Sequence, residues 1–109
     1  MNRASTVRCA CASLLFLLLS ACFHGPVKDP AAGQARTELD QLKADPQLSG
    51  RVPVALKEAE DAVAAAEAPQ KNAELSGYLS YIAERKVQTA RALAEARVAE
   101  DQLKGMGGP

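Results

Sequence analysis

Residues 72–104 read NAELSGYLSYIAERKVQTARALAEARVAEDQLK, and this stretch decides the fold. Leu75, Leu79, Ile82, Ala83, Val87, Ala90, Leu93, Ala94 and Val98 recur at helical spacing, which gathers apolar side chains into one broad stripe. The composition favours helix throughout. Asn72 offers a cap at the start, Gly77 weakens the first turns, and Gly105 is expected to stop the helix ahead of a fraying tail at 105–109. At ~1.5 Å per residue such a helix is roughly 50 Å long. Glu100 and Lys104 form an i,i+4 pair of favourable order, and Arg91 with Glu95 and Arg97 with Asp101 add pairs of the less favourable order.

Working outward, the segment 68–72 (APQKN) breaks the pattern, because Pro69 cannot continue a helical ladder and disfavours a helical residue before it. Before it, Leu56, Ala59, Val63 and Ala66 recur every three or four residues between Val54 and Glu67, with Lys57, Glu58, Glu60 and Asp61 on other faces, the pattern of an amphipathic helix. A third helix is predicted from Ala31 to Lys43, with Ala35, Leu39 and Leu42 on one face and Asp29-Pro30 as cap and first-turn pair. Asp45-Pro46 and the run Ser49 to Pro53 are read as breakers where the chain turns. The expectation is an all-α, coiled-coil-like domain over residues 31–104: a short antiparallel hairpin within a three-helix arrangement, with one long C-terminal helix. That last helix outruns its hairpin partner. Leu93 and Val98 are therefore expected to lack cover, leaving the isolated domain weakly stable or self-associating.

The N-terminal end reads as targeting sequence. Met1 to Arg8 contains Arg3 and Arg8 and no acid, as the positively charged start of a signal peptide does. Ala10 to Ala21 is apolar, centred on Leu14-Leu15-Phe16-Leu17-Leu18-Leu19, and at ~18 Å of helix is too short for a ~30 Å hydrocarbon core. It ends in Leu19-Ser20-Ala21-Cys22, a bacterial lipobox: the Cys22 thiol is the nucleophile that takes a diacylglyceryl group, and small residues before it admit the peptidase. Residues 1–21 are thus expected to be a lipoprotein signal peptide cut between Ala21 and Cys22. Residues 22–30, with Gly25, Pro26 and Pro30, form a lipidated tether, and palmitate-like chains hold it in the membrane. In the lipoproteins of diderm bacteria that this leader resembles, Asp after the cysteine favours retention at the inner membrane; Phe23 stands there instead, so the resemblance implies the periplasmic face of the outer membrane.

Composition removes other functions from consideration. Taking Arg3 and Arg8 from the 13 basic residues leaves 11 against 13 acidic ones, which gives no electrostatic reason to expect nucleic acid. Tryptophan is absent and the aromatics are Phe16, Phe23, Tyr78 and Tyr81, a poor supply for base stacking. His24 is the one histidine, and it stands in the tether without the partners a metal site needs. Of Cys9, Cys11 and Cys22, only Cys22 survives processing, so the mature domain holds no internal disulfide. With no nucleophile, base or phosphate-binding loop in sight, the reading is a protein that is not an enzyme and has no cofactor and no metal. Glu58, Glu60 and Asp61 are close in sequence but point in different directions on a helix, and Arg85-Lys86 reads as ordinary helix surface.

Several of these stretches carry a family resemblance: Leu42, Asp45-Pro46-Gln47-Leu48, Val54-Ala55-Leu56-Lys57-Glu58-Ala59-Glu60, and above all Tyr78-Leu79-Ser80-Tyr81-Ile82-Ala83-Glu84-Arg85-Lys86 running into Ala90-Arg91-Ala92-Leu93-Ala94-Glu95. Between Leu39 and Leu103 the chain resembles the alanine-rich bacterial lipoprotein family of domain of unknown function DUF4398. The resemblance implies a helical cell-envelope lipoprotein. It departs from longer members, in which a peptidoglycan-binding domain follows.

Two roles fit the sequence. One is a membrane-tethered structural or protein-interaction module that meets an envelope protein, or another copy of itself, through a face containing Leu75, Leu79, Ile82, Val87, Leu93 and Val98. The other is a periplasmic carrier or chaperone-like protein that holds peptide or lipid on that face.

Overall fold

Three of the helices start at a proline, and two of those prolines follow an aspartate cap. The computed structural model describes residues 27–107, which form α1 (Pro30–Ala44), α2 (Pro46–Ser49), α3 (Pro53–Glu67) and α4 (Ala73–Met106). The expected signal segment, Ala21, Cys22 and the expected tether up to residue 26 lie outside the described residues. Asp29 Oδ1 accepts the Ala31 N–H at 2.8 Å and Asp45 Oδ1 accepts that of Gln47 at 2.9 Å, each satisfying a first-turn donor that the helix itself leaves open. Val52 ahead of α3 makes no side-chain cap, but Pro53 has no N–H to satisfy there. Asn72 Oδ1 caps α4 by accepting from Leu75 N at 2.8 Å.

The all-α class and the long C-terminal helix stand as expected. Among the described residues no strand occurs; the one extended contact is an antiparallel bridge between Val27 and Gln70. Two local expectations are corrected. Gly105 does not stop α4, which runs on to Met106 and ends with Gly107 N–H bonded to Leu103 O at 3.0 Å. Asp45-Pro46 does not merely turn the chain: it starts the one-turn helix α2, by the same cap-and-proline device that starts α1.

Ion pairs report how the helices run. Arg36 with Glu67 (2.6 Å) and Lys43 with Glu60 (2.6 Å) set α1 antiparallel to α3. Lys86 with Glu58 (2.7 Å), together with Arg51 ahead of α3 paired with Asp101, sets α3 antiparallel to α4. The α4 helix therefore runs in the same direction as α1, and both α1 and α3 pack along it. Arg51, between α2 and α3, pairs with Asp101, and its carbonyl accepts from Arg97. Arg97 and Asp101 thus turn to a neighbouring segment instead of to each other. Exposed pairs of this kind each contribute ~0–1 kcal/mol, so they fix register more than stability.

The core is a set of heptad-like seams built from small residues. On α4 the buried positions are Ser76, Ser80, Ala83, Val87, Ala90 and Ala94, and on α1 they are Ala32, Ala35, Leu39 and Leu42. Val52 and then Ala59, Val63 and Ala66 line the α3 side, with Leu56 partly buried against them. Steps of three and four alternate along each seam, which is the 3.5-residue repeat of coiled-coil contact. The α4 seam is rotated from the stripe expected from hydrophobicity. Ser76 and Ser80 lie inside, whereas Leu75 and Leu93 remain exposed. The reason is steric: small side chains let backbones approach closely, so the bulkier neighbours flank the contact line instead of forming it.

The expected lack of cover beyond the hairpin holds for Leu93, which is 43% exposed, and is revised for Val98. α2 packs on α4, Val52 is buried, and Val98 is half-buried. Besides Leu93, the bare part of α4 is its last turns, where Leu103 and Met106 stand exposed.

Substitutions in the seam test this packing. Ala83→Leu should overfill the α4 contact and lower stability by about 1–3 kcal/mol, while Ala92→Leu, at an exposed position, should stay within about 0.5 kcal/mol. Thermal unfolding of the two variants reads the difference. The Ser80 hydroxyl is buried without a hydrogen-bond partner, so Ser80→Ala should raise stability by about 1 kcal/mol in the same assay.

Candidate functional site

With the seam assigned, the residues left on the surface of α4 define what the domain can present. Of the six face residues expected from sequence, Val87 is fully buried in the core and Leu79, Ile82 and Val98 are half-buried. Leu75 is 40% exposed and Leu93 43%. The structure thus separates the six positions, keeping one for the core and leaving two on the surface.

Other exposed apolar groups were missed because they lie off the expected stripe. Tyr78 is 60% exposed, Tyr81 similarly so, and Leu103 and Met106 reach 65% and 77%. At 100° per residue, Tyr78, Tyr81 and Leu103 project from the side of α4 opposite its seam. A signal was available: an alanine-rich helix with large apolar residues on more than one side cannot bury them all against two short partners.

Two open depressions flank α4. One of about 410 Å³ is lined by Asn72, Glu74, Leu75 and Tyr78, at the start of the helix. The other, about 190 Å³, lies between α3 and α4 and is lined by Ala55, Glu58, Ile82, Arg85, Lys86 and Thr89. Its charges are already engaged: Lys86 bonds Glu58 at 2.7 Å and Arg85 bonds Gln88 at 3.3 Å. Glu58, Glu60 and Asp61 likewise disperse, to Lys86, Lys43 and Lys57 respectively. Among the described residues no three His, Cys, Asp or Glu side chains gather where a metal ion could sit, and no helix is long and apolar enough to cross a membrane.

At the loop end of the bundle, Arg36 holds Glu67 through two nitrogens, Nε at 3.0 Å and Nη2 at 2.6 Å. This hydrogen bonding holds the Glu67 carboxyl below the usual carboxylate range and raises Arg36 further above its ordinary value. Close by, Gln70 Nε2 donates to the carbonyls of Ala65 (3.2 Å) and Ala68 (2.9 Å), and Val27 and Gln70 exchange backbone bonds of 3.2 Å each. The segment ahead of α1 is thereby fixed to the α3–α4 loop.

The fold and surface define a class: an all-α domain with a thin, small-residue core and apolar side chains displayed along and at the ends of one long helix. The chain matches the model of the family described as "Domain of unknown function (DUF4398)" over residues 30–106 and belongs to that family. No curated protein and no solved structure matches it.

The pH dependence of the Arg36–Glu67 pair follows from the depressed carboxyl. Its stabilisation is present above the unfolded-state value and is lost as pH falls through the lower folded value. Between about pH 6 and about pH 3 the parent domain should therefore lose stability more steeply than Glu67→Gln. Because both side chains are about a third exposed, the difference at neutral pH should stay under about 1 kcal/mol. Urea unfolding of both proteins across that range measures it.

Proposed function

We propose that this protein is a cell-envelope lipoprotein, acylated at Cys22 after cleavage behind Ala21, and that its helical domain serves as a membrane-tethered structural or protein-interaction module. The anchoring half rests on the lipobox Leu19-Ser20-Ala21-Cys22 at the end of a short apolar segment. The outer membrane's periplasmic face is the proposed location, from Phe23 in place of Asp. The observation that carries the interaction half is the exposure of Leu93, Leu103 and Met106 on a helix whose seam is already filled. The chain gains nothing in its own core from these side chains. An envelope protein, or a second copy, is the proposed partner for them. The carrier alternative needs a continuous apolar face for cargo, whereas Ala83, Val87, Ala90 and Ala94 are already spent within the chain. That favours the interaction module. Neither reading requires catalysis, a cofactor or nucleic acid.

Cys22→Ser should abolish incorporation of labelled fatty acid and release the domain from membranes; unchanged labelling would sink the anchoring claim. A photo-crosslinking residue at Leu103 in intact cells should capture one stoichiometric protein, and Leu93→Asp should weaken that capture more than Glu84→Ala. Heterogeneous peptide or lipid adducts would instead favour the carrier.

A further inference from the structure

The Val27–Gln70 bridge fixes where the tether leaves the bundle: beside the α3–α4 loop, at the end where α4 begins. Only four residues lie between Cys22 and Val27, so five chain steps join them. Fully extended at ~3.3–3.6 Å each, they span at most about 18 Å. This end also carries the exposed Leu75 and Tyr78, set around an open depression with Asn72 and Glu74. Leu75 stands in the first turn of α4 and Tyr78 about 8 Å along it at ~1.5 Å per residue. That depth matches the headgroup layer, about 5–8 Å on each side of the hydrocarbon. Tyrosine suits such a layer because it pairs an apolar ring with a hydroxyl that stays hydrated.

Charge at this end is mixed. Lys28, Lys71 and Glu74 are exposed, while Asp29 caps α1 and Glu67 is held by Arg36. The balance gives no strong attraction to an anionic surface, so apolar and aromatic contact must carry the interaction.

We infer that the α3–α4 loop end is the membrane-facing end of the domain, with Leu75 and Tyr78 seated in the lipid headgroup layer and α4 directed away from the bilayer. The inference rests on the proposed acylation of Cys22. It places Leu103 nearly 40 Å further along α4 at ~1.5 Å per residue, out of reach of the lipid.

The chain has no tryptophan, so one introduced residue reports its own surroundings. Tyr78→Trp and Leu103→Trp, both at exposed positions, are made in the full precursor, purified as the processed lipoprotein, and reconstituted in phosphatidylethanolamine/phosphatidylglycerol vesicles. Mass spectrometry first establishes acylation of each, and circular dichroism their helicity. Headgroup-level spin-labelled lipid should quench Tyr78→Trp several-fold more strongly than Leu103→Trp, and raised salt should leave the ratio unchanged. Tyr81→Trp provides a second proximal reporter if Tyr78→Trp loses helicity. Equal quenching of the proximal and distal reporters in an acylated protein, whether strong because the helix lies flat or absent because both ends meet water, overturns the orientation and leaves the anchor standing. A protein found unacylated at Cys22 overturns both.

Discussion

Everything in this domain depends on how closely α1 and α3 can approach α4. The contact line on α4 is Ser76, Ser80, Ala83, Val87, Ala90 and Ala94, and only Val87 is larger than a serine. Close approach replaces bulk: dispersion contacts between backbones and short side chains stand in for the area that leucines would otherwise bury. The larger buried groups, Leu39, Leu42, Val52 and Val63, come from the partner segments. The seam thus receives side chains from α1 and α3 more than it donates them. A thin core has a cost, since alanine contributes little apolar area on folding.

Polar contacts answer part of that thinness by constraining geometry. Glu67, Glu60 and Glu58 reach Arg36, Lys43 and Lys86 from one helix to its two neighbours. An alanine seam alone specifies register weakly, because one alanine step resembles the next. Charged pairs at fixed heights break that degeneracy even though each contributes little energy. The Arg51 connection to Asp101 and Arg97 does the same beyond the end of the hairpin.

Much of this was legible in the sequence. Helical period, proline breaks and the caps at Asp29 and Asn72 placed three helices to within a few residues, and the family resemblance agrees with the match over residues 30–106. The face of α4 was less legible, because hydropathy ranks Leu75 above Ser76 while close packing ranks them the other way. α2 was hidden because Asp-Pro was taken as a breaker at position 45 and as a helix start at position 29, although the capping chemistry is the same. Helix continuation through Gly105 was missed because glycine weakens a helix by only about 1 kcal/mol and need not end it. For the candidate site, Leu93 was legible as an apolar group without cover, and Leu75 only as a member of the expected face. Tyr78, Tyr81, Leu103 and Met106 were not, since a search for one stripe discards what lies on the other side. Ala21 and Cys22 lie outside the described residues.

The placement of bulk on α4 bears on the proposed function. Exchanging Leu75 with Ser76 in sequence would place a leucine on the seam and a serine on the surface, at no evident loss of helix propensity. A chain shaped only for stability gains from that arrangement, provided the helices could part to admit the larger side chain. Here the small residues hold the helices close and the large ones remain outside at both ends of α4. Surface apolar side chains singly are ordinary, but these are grouped: Leu75 and Tyr78 beside the tether, Leu103 and Met106 at the opposite tip. Such a division supports a domain that uses its two ends differently, one close to the proposed anchor and the other extended toward the proposed partner, with α4 as the strut between them.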